Sequence, residues 1–191
     1  MKTNLKFILI ALFAVALTSC SPEDGMDGEQ GPAGIDGNAN VESYSFAVNR
    51  ADWNATSPYG DGNIFRDYPI SPNLIGGNDI NTIIGEGGAV LIYVNFLDVG
   101  DFLLMPVSFS YAGVGVKLTA SLNRGVLFIS KTTNGWDNLS IAINEIPETI
   151  NYRIVLVPKE AQGKLYKDGN PMNLSNFNTV ANLFNLNMES N

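Results

Sequence analysis

The chain contains no histidine, a single cysteine (Cys20), and only eleven basic residues among 191. Without histidine neither a Ser-His-Asp nor a Cys-His arrangement can be assembled, and the usual ligand sets of zinc centres are lost as well. Most common hydrolase and metalloenzyme mechanisms are thereby excluded, and no cofactor and no metal is expected. The shortage of positive charge removes a second class. A formal net charge of −8 repels the phosphates of nucleic acid, which is not expected as a partner. A long apolar run is missing too: residues 7–17 are continuously apolar, but these 11 residues fall short of the roughly 20 that span a bilayer.

What is present begins with that short run. Lys2 and Lys6 precede it, and small or polar Thr18 and Ser19 follow, which is the three-part layout of a secretory signal peptide over residues 1–19. Leu17-Thr18-Ser19-Cys20 resembles the bacterial lipobox, and the resemblance implies that Cys20 is lipidated and becomes the first mature residue. Several acyl chains anchor a protein stably where one holds only marginally, so the membrane is a partner through this anchor. A thioether at Cys20 leaves no thiol for a disulfide, even in a compartment that permits them. Removal of the leader takes two lysines and leaves nine basic and nineteen acidic residues, a formal charge of −10.

Residues 20–40 read as a tether. Glu23, Asp24, Asp27, Glu29 and Asp36 lie here with no base among them, and Gly25, Gly28, Gly31, Gly34 and Gly37 recur at every third position. This is the collagen spacing, but five triplets holding one proline, Pro32, and charge of one sign make a poor triple helix. An extended linker is the simpler reading, about 60 Å long if polyproline-like and about 25 Å as a loose coil. Ser21-Pro22-Glu23-Asp24 resembles the export signal that sends lipoproteins of the Bacteroidota to the outer face of the outer membrane, which implies surface exposure.

The pattern changes at residue 41, where about 150 residues remain, enough for one domain with a sizeable core. In residues 41–48, Tyr44, Phe46 and Val48 alternate with Ser43, Ser45 and Ala47, as in a half-buried strand. Residues 63–70 predict a shorter edge strand, because Pro69 lacks a donor. Asn78 or Asp79 can cap one or two helical turns over residues 78–84, stopped by Gly85. Residues 88–96 are nearly continuously apolar, as in a strand buried on both faces. Residues 102–111 read as a returning strand in which Pro106 marks a bulge or an edge. Residues 114–122 and 126–131 form a hairpin through Asn123-Arg124-Gly125. Asn134-Gly135 is a further turn, followed by strands over 139–146 and 150–157. Short strands separated by frequent turns predict an all-β fold: an antiparallel β-sandwich, Ig-like or jelly-roll-like, over residues 41–160. Residues 161–191 are expected to be an extension in which Ser175 caps a helix whose Phe177, Val180, Leu183 and Phe184 pack on a sheet.

Several of these stretches together carry a family likeness. The Gly-x-x repeats running into Asp36-Gly37-Asn38-Ala39-Asn40-Val41, then Trp53, Gly88-Ala89-Val90-Leu91-Ile92-Tyr93, Leu104-Met105-Pro106 and Tyr152-Arg153-Ile154-Val155-Leu156-Val157-Pro158 resemble a group of uncharacterised, collagen-like surface lipoproteins of the Bacteroidota. The likeness covers roughly residues 17 to 160 and rests on strands and linkers. It implies surface location and a β-rich fold, and transfers no active residue.

Candidate chemistry is sparse. Asp36-x-Asn38-x-Asn40 begins like a calcium loop, but Val41 stands where glycine belongs and Ala47 where glutamate does; Asp61-x-Asn63 fails similarly at Phe65 and Arg66. Glu145 with Glu148, and Asp98 with Asp101, are the carboxylate pairs nearest in sequence. Neighbours of this kind seldom flank a scissile bond from opposite sides, so solvated turn acids describe them better than a glycoside hydrolase. The chain is read as a non-enzyme. Trp53 with Tyr59, and Trp136 after the Asn134-Gly135 turn, suit sugar binding, because a flat ring stacks on a pyranose while polar neighbours bind hydroxyls. The competing account, favoured by the burial habits of large aromatics, has each tryptophan folding back over the core. The expectation is a lipid-anchored surface module that binds glycans or a host surface through Trp53, Tyr59 and Trp136. The alternative is a structural subunit of the cell envelope that assembles with itself or with another envelope protein.

Overall fold

A computed structural model describes residues 40–55, 65–96 and 100–187. The leader, the tether with Cys20, and Tyr59 lie outside the described residues. The fold is a β-sandwich of two four-stranded antiparallel sheets. One sheet has the order β1 (Glu42–Asn49), β8 (Thr149–Val157), β3 (Ala89–Asn95) and β4 (Leu103–Leu104). The other runs β2 (Arg66–Pro69), β7 (Val126–Thr132), β6 (Val114–Ser121) and β5 (Val107–Tyr111). A small ribbon of β9 (Tyr166–Lys167) and β10 (Asn170–Pro171) stands apart.

Alternation in β1 sends Tyr44, Phe46 and Val48 between the sheets, where they join Leu118, Leu127 and Ile129 in the main core. β2 is an edge strand, as Pro69 requires. The hairpin of β6 and β7 closes through Gly125, whose φ of 60° suits glycine.

β3 is nearly continuously apolar for a structural reason: both of its faces, like those of its neighbour β8, are covered. Val90, Ile92, Val94, Tyr152, Ile154 and Leu156 point into the sandwich. Tyr93, Val155 and Val157 point the other way, into a second core roofed by the C-terminal segment. There, helix α2 (Phe177–Phe184) lays Phe177, Val180, Ala181 and Phe184 on the sheet, and Ala161 and Leu165 fill beside it. Each fully buried phenylalanine here contributes about 1.5–3 kcal/mol. Arg153 belongs to this second core as well, 4% exposed, with its guanidinium 4.6 Å from the Phe177 ring centroid and 4.9 Å from that of Phe102. The third layer is therefore part of what makes β3 readable as a strand buried on both faces.

Helix α1 (Ile80–Gly85) is capped by Asp79, whose carboxylate accepts the N–H groups of Asn81 and Thr82. The Thr82 hydroxyl, donating to the same group at 2.8 Å, is the main cause that holds the Asp79 carboxyl below its ordinary range.

Three expectations are corrected. Residues 102–111 are not one strand: β4 lies in one sheet and β5 in the other, with Met105 and Pro106 crossing between them. Proline offers no N–H to prolong a ladder, so the apolar residues on its two sides serve different sheets. Residues 139–146 form no strand beyond a single bridge of Leu139 to Lys131. A 3-10 turn at Ile143–Glu145 interrupts them, and Ile141 and Ile146 are buried while Leu139 and Ile143 are not. Finally α2 is capped by Asn176 rather than Ser175, with Asn176 accepting the Asn178 N–H at 2.8 Å.

Candidate functional site

The Asn134-Gly135 signal produces a tight turn directly after β7, braced by a set of side-chain and backbone hydrogen bonds. Asn134 Oδ1 accepts the N–H groups of Trp136 (2.9 Å) and Asp137 (3.0 Å), which curls the chain. Asp137 accepts from the hydroxyls of Thr132 and Thr133 and from the Thr133 N–H. Thr132 Oγ1 in turn accepts the Gly135 N–H at 2.7 Å. From the neighbouring strands, Lys117 Nζ donates to the Trp136 carbonyl at 2.9 Å and Ser108 Oγ to that of Gly135 at 3.4 Å. Gly135 has φ 82°, the left-handed conformation such a turn needs. The Asp137 carboxyl is held far below its ordinary range, first by the Thr132 hydroxyl and then by Thr133.

What this lattice of bonds presents is the side chain of Trp136, 86% exposed. A large aromatic left in water forgoes a burial gain of a few kcal/mol, and here the backbone beneath it is fixed from both flanks. The braced backbone thus leaves an indole face open to solvent.

The other sequence-predicted positions do not join it. Trp53 is 3% exposed, packed in the main core with its ring centroid 6.2 Å from that of Tyr68, so it is no ligand platform. Its indole N–H has no hydrogen-bond partner. The 3-10 turn at Arg50–Asp52 carries the chain inward at this point, with Asp52 accepting the Asn49 N–H at 3.0 Å. Tyr59 lies outside the described residues, so nothing is placed beside Trp136 from that loop.

The acids are occupied. Glu145 accepts from Lys131 at 2.7 Å and from the Ala142 N–H at 2.8 Å, and the lysine is the first cause of its lowered carboxyl pKa. Glu148 pairs with Arg50 at 2.9 Å. Asp101 accepts the side-chain amides of Asn176 and Asn178, tying β4's approach to α2, and Asp98 lies outside the described residues. Among the described residues no group of three Asp, Glu or Cys side chains is placed to hold a metal ion.

Residue order did not single out Tyr166, 55% exposed on the β9–β10 ribbon. Its only signal was the Asp168-Gly169 turn that makes the ribbon, with Asp168 at φ 52° and Gly169 at φ 78°.

Fold and site together define a three-layered β-sandwich displaying one tryptophan on a braced turn. No family model, no curated protein and no solved structure matches the chain.

Proposed function

We propose that this protein is a lipid-anchored, surface-displayed recognition module of the outer membrane that binds glycans non-catalytically through Trp136. The observation that carries the reading is the nearly complete exposure of Trp136 on a turn braced by side-chain and backbone hydrogen bonds. Sugar rings present apolar C–H faces that stack on an indole, and a braced backbone beneath the ring lowers the ordering cost of binding them. The lipobox-like Leu17-Thr18-Ser19-Cys20 and the acidic tether support display at a membrane surface. The engagement of Glu145, Glu148 and Asp101 in structural bonds supports a role without catalysis.

The test is a glycan-binding screen of the detergent-solubilised full chain with Trp136→Ala alongside. Loss of about 2 kcal/mol, roughly thirtyfold in Kd, is expected for a central aromatic contact. Binding that survives the substitution unchanged would remove Trp136 from the site, and absence of binding to every glycan would reject the reading.

A further inference from the structure

The hydrogen bonds that brace the Trp136 turn use up its acceptors faster than its donors. Asn134 Oδ1 takes two N–H groups, from Trp136 and Asp137, which fills both of its lone pairs. The Asp137 carboxylate takes three donors, all from Thr132 and Thr133. The carbonyls of Gly135 and Trp136 receive Ser108 and Lys117. Donors remain on offer. The Asn134 side-chain amide nitrogen meets no partner among the described residues, and Lys117 gives one N–H of its ammonium to the Trp136 carbonyl and keeps two.

Lys117 is also without a counter-charge among the described residues. On its sheet it lies between Ser108 of β5 and Ser130 of β7, so neither neighbouring strand sets an acid opposite it. Of the acids in residues 132–148, Glu145 is paired with Lys131 and Glu148 with Arg50. Asp137 stays negative, but its carboxylate turns back to Thr132 and Thr133 at the end of β7, whereas the Lys117 ammonium arrives from β6. The chain as a whole carries −8, yet at physiological salt charges more than about 8 Å away are largely screened. What a ring stacked on Trp136 meets is therefore set by the nearest groups, and on the β6 side these are donors led by an unpaired cation.

We propose that the ligand of this site is an acidic glycan, whose ring on Trp136 carries a carboxylate or sulfate that pairs with Lys117 and accepts from the Asn134 amide. This rests on the reading of Trp136 as a glycan contact and narrows it to one class of sugar. A hydroxyl both donates and accepts, and its donor half finds few open acceptors on this turn. An anionic substituent only accepts, which matches the groups left over, and its bonds to an ammonium are the stronger kind. Lys117 then has two tasks, holding the turn through the Trp136 carbonyl and selecting the charge of what stacks there.

The test uses the full chain in detergent and matched tetrasaccharides of one linkage, made of glucose, of glucuronic acid and of sulfated glucose. Binding is measured by calorimetry at low and at physiological salt. Trp136→Ala, Lys117→Gln and Lys117→Arg are run alongside, each checked for folding by thermal unfolding. At least one acidic sugar should bind about tenfold more tightly than the neutral one, and the advantage should shrink as salt is raised. The glucuronate and sulfate arms separate the two acidic groups. Lys117→Gln, whose amide can still donate to the Trp136 carbonyl, should bring the acidic-to-neutral ratio near one, while Lys117→Arg should keep the preference. Equal binding of neutral and acidic sugars, or a preference that Lys117→Gln leaves intact, overturns the proposal while the Trp136 reading stands. Binding of none of the three also overturns it, and the wider glycan screen then decides the reading beneath it. Acidic binding that Trp136→Ala leaves unchanged overturns both.

Discussion

The two tryptophans of this chain have opposite fates. Trp53 is 3% exposed and packs beside Tyr68, with Phe46 and Tyr152 stacked next to it; Trp136 is 86% exposed and stands on a turn. Both follow polar, turn-forming residues, and both satisfy the same compositional expectation for a sugar platform. The difference lies in what their backbones are tied to. The 3-10 turn before Trp53 begins beside the start of β8, where the Arg50 N–H donates to the carbonyl of Glu148 at 2.8 Å, and the ring is delivered inward. The turn around Trp136 is tied to itself and, from neighbouring strands, to Ser108 and Lys117, and its ring is left exposed.

The sharpest break of this contrast is substitution by alanine. Trp53→Ala should lower stability by about 3–5 kcal/mol, seen as a large fall in denaturation midpoint, because a cavity replaces a core aromatic. Trp136→Ala should change stability by less than about 0.5 kcal/mol in the same experiment. Equal losses would erase the distinction. Trp53→Phe refines it: the indole N–H is buried without a partner, so its removal relieves a cost of about 1–3 kcal/mol and the variant should be far milder than alanine.

An intermediate effect is expected at the brace. Asp137→Ala should leave the unfolding free energy within about 1 kcal/mol of the parent but weaken any Trp136-dependent glycan binding several-fold. Unchanged affinity would show that the rigidity of the turn is irrelevant to recognition.

The smallest effect is set by pH. The Asp137 carboxyl has a folded pKa below its ordinary value, so across that interval the unfolded chain binds the extra proton and stability rises with pH. The contribution of the brace is complete above about pH 4 and is lost only as pH falls through the lowered folded value. Trp136 fluorescence and its quenching by acrylamide should therefore stay constant from neutrality down to about pH 4 and change only in stronger acid. A transition near neutrality would contradict this assignment.

Much of the fold was legible in residue order. Period-two alternation marked β1, Pro69 marked an edge, Asn123-Arg124-Gly125 marked the β6–β7 hairpin, and the nearly continuous apolar run of β3 announced a strand covered on both sides. Those are local signals, because side-chain period and turn chemistry act over a few residues. The stretch 102–111 was misread as one strand since both of its halves are apolar in strand fashion, and nothing local says that they belong to different sheets. Residues 139–146 failed for a related reason: an alternating pattern needs a free neighbouring edge as well as apolar residues, and only Leu139 finds one at Lys131.

The candidate site divides along the same line. By itself the sequence determined the exclusion of histidine chemistry, the lipobox-like anchor motif, the acidic tether composition, the β-rich class and the turn at Asn134-Gly135. It also placed two tryptophans beside turns, leaving open which of them would be buried. Only the tertiary structure decided that Trp53 is core and Trp136 is surface, and that Glu145 and Glu148 serve ion pairs. The physical reason is that composition and period fix what a segment prefers, whereas exposure and pairing depend on which distant segment arrives to cover it.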